Sequence, residues 1–154
     1  MSGGIDSPAA TYLMLKRGAE VWILNMDIRP FGSDDEMEKV EGLINQLKGH
    51  HAGQVRFFRA KHGSILSRFR ERSDARYTCV LCKRAMLQAA DDLCSMWKLK
   101  GIIMGDSMGQ VASQTLSNMA AVSAGIKNPI LRPLVGMDKL EIISVARMAG
   151  TFDI

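Results

Sequence analysis

Ser2-Gly3-Gly4-Ile5-Asp6-Ser7-Pro8 stands at the head of the chain and runs directly into Ala9-Ala10-Thr11-Tyr12-Leu13-Met14-Leu15-Lys16-Arg17-Gly18. Two adjacent glycines let a backbone approach an anion without Cβ clashes. The serine hydroxyls and loop N–H groups can donate to phosphate oxygens, and a helix that follows presents its positive end to them. Pro8 to Arg17 reads as that helix, with Ser7 as N-cap, Pro8 in the first turn and Gly18 as the stop. The spelling is not a Walker A loop, because no Gly-Lys-Ser/Thr occurs, and no GxGxxG is present. A glycine loop of this kind ordinarily hangs from a strand, and here only Met1 precedes it. The chain also stops at Thr151-Phe152-Asp153-Ile154 with no closing element, so a piece of a larger protein is expected.

Outward from the loop, short apolar runs alternate with amphipathic ones. Val21-Trp22-Ile23-Leu24-Asn25-Met26 reads as a buried strand, and Asp34 to His50 as a helix with Leu43, Ile44 and Leu47 facing inward. Val55-Arg56-Phe57-Phe58 predicts a strand, Ile65 to Phe69 a short helix and Leu81 to Trp97 a longer one. Gly101-Ile102-Ile103-Met104 predicts a strand that ends in the loop Gly105-Asp106-Ser107. Ser113 to Gly125 reads as a helix, Ile130-Leu131 as a short strand, and Asp138 to Met148 as a helix capped by Asp138 and stopped by Gly150. Strands alternating with helices predict an α/β fold with a parallel sheet covered on both faces. Ligands of such sheets bind at the carboxyl ends of the strands.

The 154 residues and 16.9 kDa fit one domain, and 47% hydrophobic with 23% charged residues excludes a disordered or fibrous chain. No apolar run approaches the roughly 18–20 residues of a membrane helix. Residues 1–6 lack the basic and apolar regions of a secretory leader. Three cysteines are too sparse for a disulfide scaffold and eleven methionines suit a reducing interior, so a cytoplasmic setting is expected. The net charge of +4 is unevenly spread. Between Arg56 and Arg84 nine Lys/Arg face only Glu71 and Asp74, so that stretch carries +7 and the remainder −3. A polyanionic partner and a solubilising face both fit this pattern.

SGGxDS is the signature of the PP-loop, or N-type ATP pyrophosphatase, family. Three further segments follow it in order. They are Tyr77-Thr78-Cys79-Val80-Leu81-Cys82-Lys83-Arg84-Ala85-Met86-Leu87, Gly105-Asp106-Ser107-Met108-Gly109-Gln110-Val111-Ala112-Ser113-Gln114-Thr115-Leu116, and Leu131-Arg132-Pro133-Leu134 with Asp138-Lys139. Together they closely resemble the tRNA 4-thiouridine synthetase family, also called the thiamine-biosynthesis sulfurtransferase family. The resemblance runs across nearly all 154 residues. It implies a three-layer, Rossmann-like domain of the adenine nucleotide alpha hydrolase type, here lacking its first strand, in a protein with an N-terminal THUMP-type RNA-binding region.

The likeness also implies a reaction. ATP would lie at the strand ends with its pyrophosphate on Ser2, Gly3, Gly4, Asp6 and Ser7, together with Mg²⁺. The O4 of a specific tRNA uridine would attack the α-phosphate and release pyrophosphate; sulfur would then attack C4, and AMP would leave. Matched position by position, further nucleotide contacts fall on Met1, Asn25, Met26, Lys83, Gly105 and Gln114, and Lys139 aligns with a lysine the family needs for activity. Without the resemblance, Lys139 is a solvated first-turn residue, Lys83 and Arg84 a charged helix face, and Gln114 a loop or helix-start hydrogen bonder. The implied partners are tRNA and a sulfur donor, either a persulfide protein or sulfide, with no membrane and with a homodimer left open. Another PP-loop adenylating ligase and a non-catalytic nucleotide-binding module stand as alternatives; the Gly-Gln-Val-Ala-Ser-Gln-Thr block argues against the ligase.

Cys79 and Cys82 form a CxxC, whose spacing suits a metal or iron–sulfur site, a redox disulfide or a persulfide carrier. Some members of the resembled family pair this CxxC with a third cysteine beyond the point where this chain ends and hold a 4Fe–4S cluster. Other members lack the CxxC and use a persulfide relay with a cysteine in that downstream segment, so the resemblance implies that Cys79 and Cys82 are iron–sulfur ligands. Cys94 reads as a small buried hydrophobe. His50 and His51 read as a helix end and His62 as a loop neighbour, with no metal-ligand spacing among them.

Overall fold

The computed structural model describes residues 1–50, 55–108 and 115–154. The elements in order are α1 (Asp6–Lys16), β1 (Trp22–Asp27), α2 (Asp34–Lys48), β2 (Arg56–Lys61) and α3 (Gly63–Arg72). A 3-10 turn (Ala75–Tyr77) leads into α4 (Thr78–Trp97), followed by β3 (Ile102–Ile103), α5 (Leu116–Ser123), β4 (Ile130–Leu131) and α6 (Lys139–Met148). The expected alternation is present. Element types agree throughout the described residues, and most differences are shifts of a few residues at the ends.

The strands form two parallel pairs. β1 runs beside β2 in the register Trp22↔Arg56 to Asp27↔Lys61, and β3 beside β4 with Ile102 opposite Ile130. Among the described residues no strand lies between the pairs. The space between the pairs, a cleft of about 1430 Å³, is walled by residues 21–27 on one side and 101–105 on the other, and the loop before α1 closes one end of it.

Each pair has its own core. Ala9, Ala10, Tyr12 and Leu15 of α1 pack with Val21, Ile23, Val40, Ile44, Leu47, Leu134 and, from α6, Ile142 and Val145. Leu87 and Cys94 of α4 pack with Ile102 and Val122, so Cys94 is the buried apolar filler its helix position predicts. Its thiol donates to Gly101 O at 3.4 Å.

The helix ends follow local chemistry. Ser33 caps α2, and Asp138 caps α6 in a capping box with Glu141. Gly18 turns the chain out of α1 at φ +82° and Gly150 ends α6 at φ +66°, a backbone region that other residues rarely adopt. At Gly150 the space is also filled, since a Cβ would meet Gln46 Nε2 at 2.4 Å. One cap differs from expectation: α1 begins at Asp6, and Ser7 lies inside its first turn rather than capping it.

Leu134 is fully buried where α1, α2 and α6 converge. Leu134→Ala is expected to lower the unfolding free energy of the full-length protein by about 2–5 kcal/mol, the usual cost of an unfilled leucine site. The midpoint of urea unfolding measures it, and an unchanged midpoint contradicts this packing.

Candidate functional site

The loop before α1 closes on itself. Ser2 N–H donates to Ser7 Oγ at 3.1 Å, the two serine hydroxyls lie 3.4 Å apart, and Gly4 N–H donates to Ser2 Oγ at 3.4 Å. Ser7 does not serve as a cap because its hydroxyl holds the loop. No side chain caps the helix, whose N-cap is Ile5. An uncapped helix N-terminus keeps its first N–H groups and positive dipole end for an anion.

Two neighbours fix this loop in the fold. Met1 N donates to Leu24 O of β1, and Asn25 Nδ2 donates to Met1 O at 2.9 Å. Gly105, just after β3, presses on the loop from the other wall. A Cβ there would fall 2.8 Å from Ser7 N and 2.9 Å from the carbonyl carbon of Asp6, so only glycine allows the approach. Asn25 is buried, and its Oδ1 has no hydrogen-bond partner among the described residues. The same holds for the hydroxyl of Ser107.

Charges gather around the loop. Burial raises the pKa of the Asp6 carboxyl, Lys139 pulls it down, Asp106 raises it and Lys83 pulls it down again. Asp106 is buried and bridges two cations, with Lys83 Nζ at 3.2 Å and Arg132 Nε at 3.4 Å. Arg132 also donates from Nη2 to Ser123 Oγ at 2.7 Å, tying α5 to this cluster. On the opposite wall Arg29 grips Asp27 with two nitrogens, and these contacts hold the Asp27 pKa at about 2.

The predicted residues Met1, Ser2, Gly3, Gly4, Asp6, Ser7, Asn25, Met26, Lys83 and Gly105 all line the one cleft. Lys139, the first residue of α6, acts on the site through its charge beside Asp6. Gln114 lies outside the described residues, with the rest of 109–114. Asp106 and Arg132 join the site without having been predicted there. Asp106 follows the carboxyl end of a parallel strand, which is a legible signal; Arg132 carries no sequence signal beyond its family segment.

Cys79 and Cys82 occupy the start of α4, three residues apart and so on one helix face. Cys79 is exposed, while Cys82 is half-buried and lines the cleft. His62 is more than the loop neighbour expected from the sequence. It is buried, its backbone N–H donates to Asp27 O at 2.7 Å, and its Nε2 lies 3.2 Å from Cys82 Sγ. Burial lowers the imidazole pKa and raises the Cys82 thiol, so the neutral pair is favoured. Among the described residues no group of three or more His, Cys, Asp or Glu side chains is arranged to hold a metal. Two thiols, one engaged by His62, do not by themselves fit an iron–sulfur cluster.

The basic stretch is less free than its charge implies. Arg59 pairs with Glu41, Arg76 with Asp74 and Lys83 with Asp106. Arg56 stacks on Trp22, Arg70 on Phe31, and Arg84 donates to Ala121 O at 2.6 Å. Lys61, Arg68 and Arg72 make no such contact with a described residue. α3, which carries Arg68 and Arg72, packs beside the CxxC helix α4.

Comparisons with known proteins agree with this geometry. A family model described as thiamine biosynthesis protein (ThiI) matches residues 1–154. "Probable tRNA sulfurtransferase" of Thermococcus kodakarensis is 44% identical over 158 residues, and that of Methanothermobacter thermautotrophicus is 45% identical over 157. A protein of the same description from Streptococcus equi subsp. equi is 40% identical over 154 residues. Each match covers the whole of this chain, which spans about 40% of the length of the two archaeal relatives. A crystal structure of a 4-thiouridine synthetase–RNA complex with bound ATP superposes with a TM-score of 0.95 at 31% identity, over 99% of this chain and 40% of that one. No described helix is long and apolar enough to cross a membrane. The chain belongs to the thiamine biosynthesis protein (ThiI) family.

Proposed function

We propose that this chain is the nucleotide-binding part of an ATP-dependent tRNA uridine 4-sulfurtransferase. The observation that carries the reading is the gathering, where Gly105 after β3 meets the first turn of α1, of an uncapped helix N-terminus, two loop glycines and the charges of Lys83 and Lys139 acting on Asp6. The ATP-bound and RNA-bound 4-thiouridine synthetase of the same fold supports it. The pyrophosphate of ATP rests on Ser2–Ser7. The unpartnered Oδ1 of Asn25 is an acceptor that a nucleotide N–H can satisfy.

In the first step the uridine O4 attacks the α-phosphate and pyrophosphate departs; in the second, sulfur attacks C4 and AMP departs. Lys139 supplies positive charge where negative charge develops. Asp6 suits Mg²⁺, which is commonly held by one or two carboxylates plus substrate phosphates and neutralises their charge. Cys82 lines the cleft and Cys79 lies one helical turn before it, which suits the pair to the sulfur-delivery side of the reaction. A cluster on these two cysteines needs a third ligand from outside residues 1–154.

The chain is read as part of one PP-loop domain in a longer, cytoplasmic, tRNA-modifying protein, with an RNA-binding region of THUMP type elsewhere. A further parallel strand between β1 and β3 fills the part of the space along the strands and leaves the end at the Ser2–Ser7 loop for the nucleotide. A role in thiamine synthesis is suggested by the family description.

Asp6→Asn in the full-length protein is expected to reduce tRNA-dependent pyrophosphate release by about 100-fold or more, in line with the removal of a group acting on transition-state charge. Wild-type release would remove Asp6 from the mechanism. Lys139→Met should leave tRNA binding intact but stop accumulation of 4-thiouridine, read from the near-ultraviolet absorbance of purified tRNA. Arg68→Ala with Arg72→Ala should weaken tRNA binding and lower the slope of log K against log salt by about 2, one for each phosphate no longer neutralised. An unchanged slope would place the RNA on another face.

A further inference from the structure

Gly3 has a close neighbour that the nucleotide reading leaves unused. A Cβ built on Gly3 would lie 3.3 Å from Lys39 Cδ, 3.8 Å from Cγ and 3.9 Å from Cε, so the lysine stem runs along the bare face of this loop glycine. Lys39 belongs to α2, whose first eight residues otherwise carry Asp34, Asp35, Glu36, Glu38 and Glu41. A lysine on so acidic a helix ordinarily joins a carboxylate three or four positions away. Lys39 makes no ion pair or hydrogen bond with a described residue, while Glu41 goes to Arg59. Its placement follows from the core: the next residue, Val40, is buried with Ile44 and Leu47, which fixes the rotation of α2 and holds Lys39 over the loop.

The cations on the far wall are differently placed. Lys83 and Arg132 are both engaged with Asp106, and Arg29 on the near wall grips Asp27. Lys39 therefore brings an ammonium without a carboxylate partner among the described residues to the loop that would hold two phosphates.

We propose that Lys39 is a phosphate-contacting residue, its ammonium covering the β,γ-pyrophosphate of ATP from the α2 side of the loop. This rests on the reading of Ser2–Ser7 as the pyrophosphate loop. A compact ammonium on a flexible stem suits a phosphate group whose charge grows as the bond to the α-phosphate breaks. Because AMP lacks the two outer phosphates, Lys39 discriminates ATP from AMP rather than strengthening both. Lys83 is engaged by Asp106, and Lys139 is assigned to the charge that develops at the α-phosphate, so neither duplicates this role.

Isothermal titration of the full-length protein with ATP, AMP and inorganic pyrophosphate tests the assignment. Lys39→Met keeps an unbranched apolar stem on Gly3 and removes only the charge. It should weaken ATP and pyrophosphate by about tenfold, as expected for one charged hydrogen bond, leave AMP within about twofold, and be largely rescued by Lys39→Arg. Equal weakening of ATP and AMP, or no weakening of either, overturns the role of Lys39. A wild-type protein that binds ATP no more tightly than AMP and ignores pyrophosphate overturns the loop reading itself, and Lys39 with it. Discrimination retained in both wild type and Lys39→Met rejects Lys39 alone.

Discussion

The close approach of Gly105 to the first turn of α1 is the constraint on which the cleft depends. The carboxyl end of β3 meets the backbone of Asp6 and Ser7 with no room for a side chain. That contact joins the two cores at the point where β1 and β3 both end. It also brings the first turn of α1 to the wall of the cleft. With Ser7 occupied by Ser2, the helix end has no internal cap, and its N–H groups face the cleft. A loop glycine, a strand-end glycine and an uncapped helix are one device for presenting backbone dipoles to a polyanion.

Around that device the side chains are arranged in two tiers. Asp106 binds Lys83 and Arg132 and lies near enough to Asp6 to disfavour its ionised form. Lys139 works in the opposite direction on the same carboxyl. Asp6 thus feels one buried carboxylate and two cations of opposing effect. The wall that carries Cys82 is bound to the β1 wall through His62, whose main chain contacts Asp27 and whose ring contacts Cys82.

Much of this is legible from residue order alone. Gly18 and Gly150 as helix stops, Asp138 as a cap, Cys94 as core and the parallel pairing all follow from local rules, and each is present. Ser7 misleads because a serine before Pro8 satisfies the usual cap pattern; its hydroxyl is captured by Ser2 instead, a contact that depends on how the loop folds. His62 is unreadable for a similar reason. Nothing in its neighbourhood in sequence anticipates Cys82, twenty residues on, and only the packing of α3 on α4 brings them together. The charge run from Arg56 to Arg84 is plain in the sequence, but counting cannot reveal that most of it is engaged within the molecule by carboxylates, rings and a carbonyl.

The clamp of Lys83 and Arg132 on Asp106 has a thermodynamic consequence. Long cationic side chains carry about 2 kcal/mol of rotamer entropy each, which a binding site ordinarily loses when its ligand arrives. Here Lys83 and Arg132 are already largely shielded from solvent and held in place. Their ordering is completed as the chain folds, so a ligand entering the cleft meets rigid charges and forfeits little side-chain freedom on that wall.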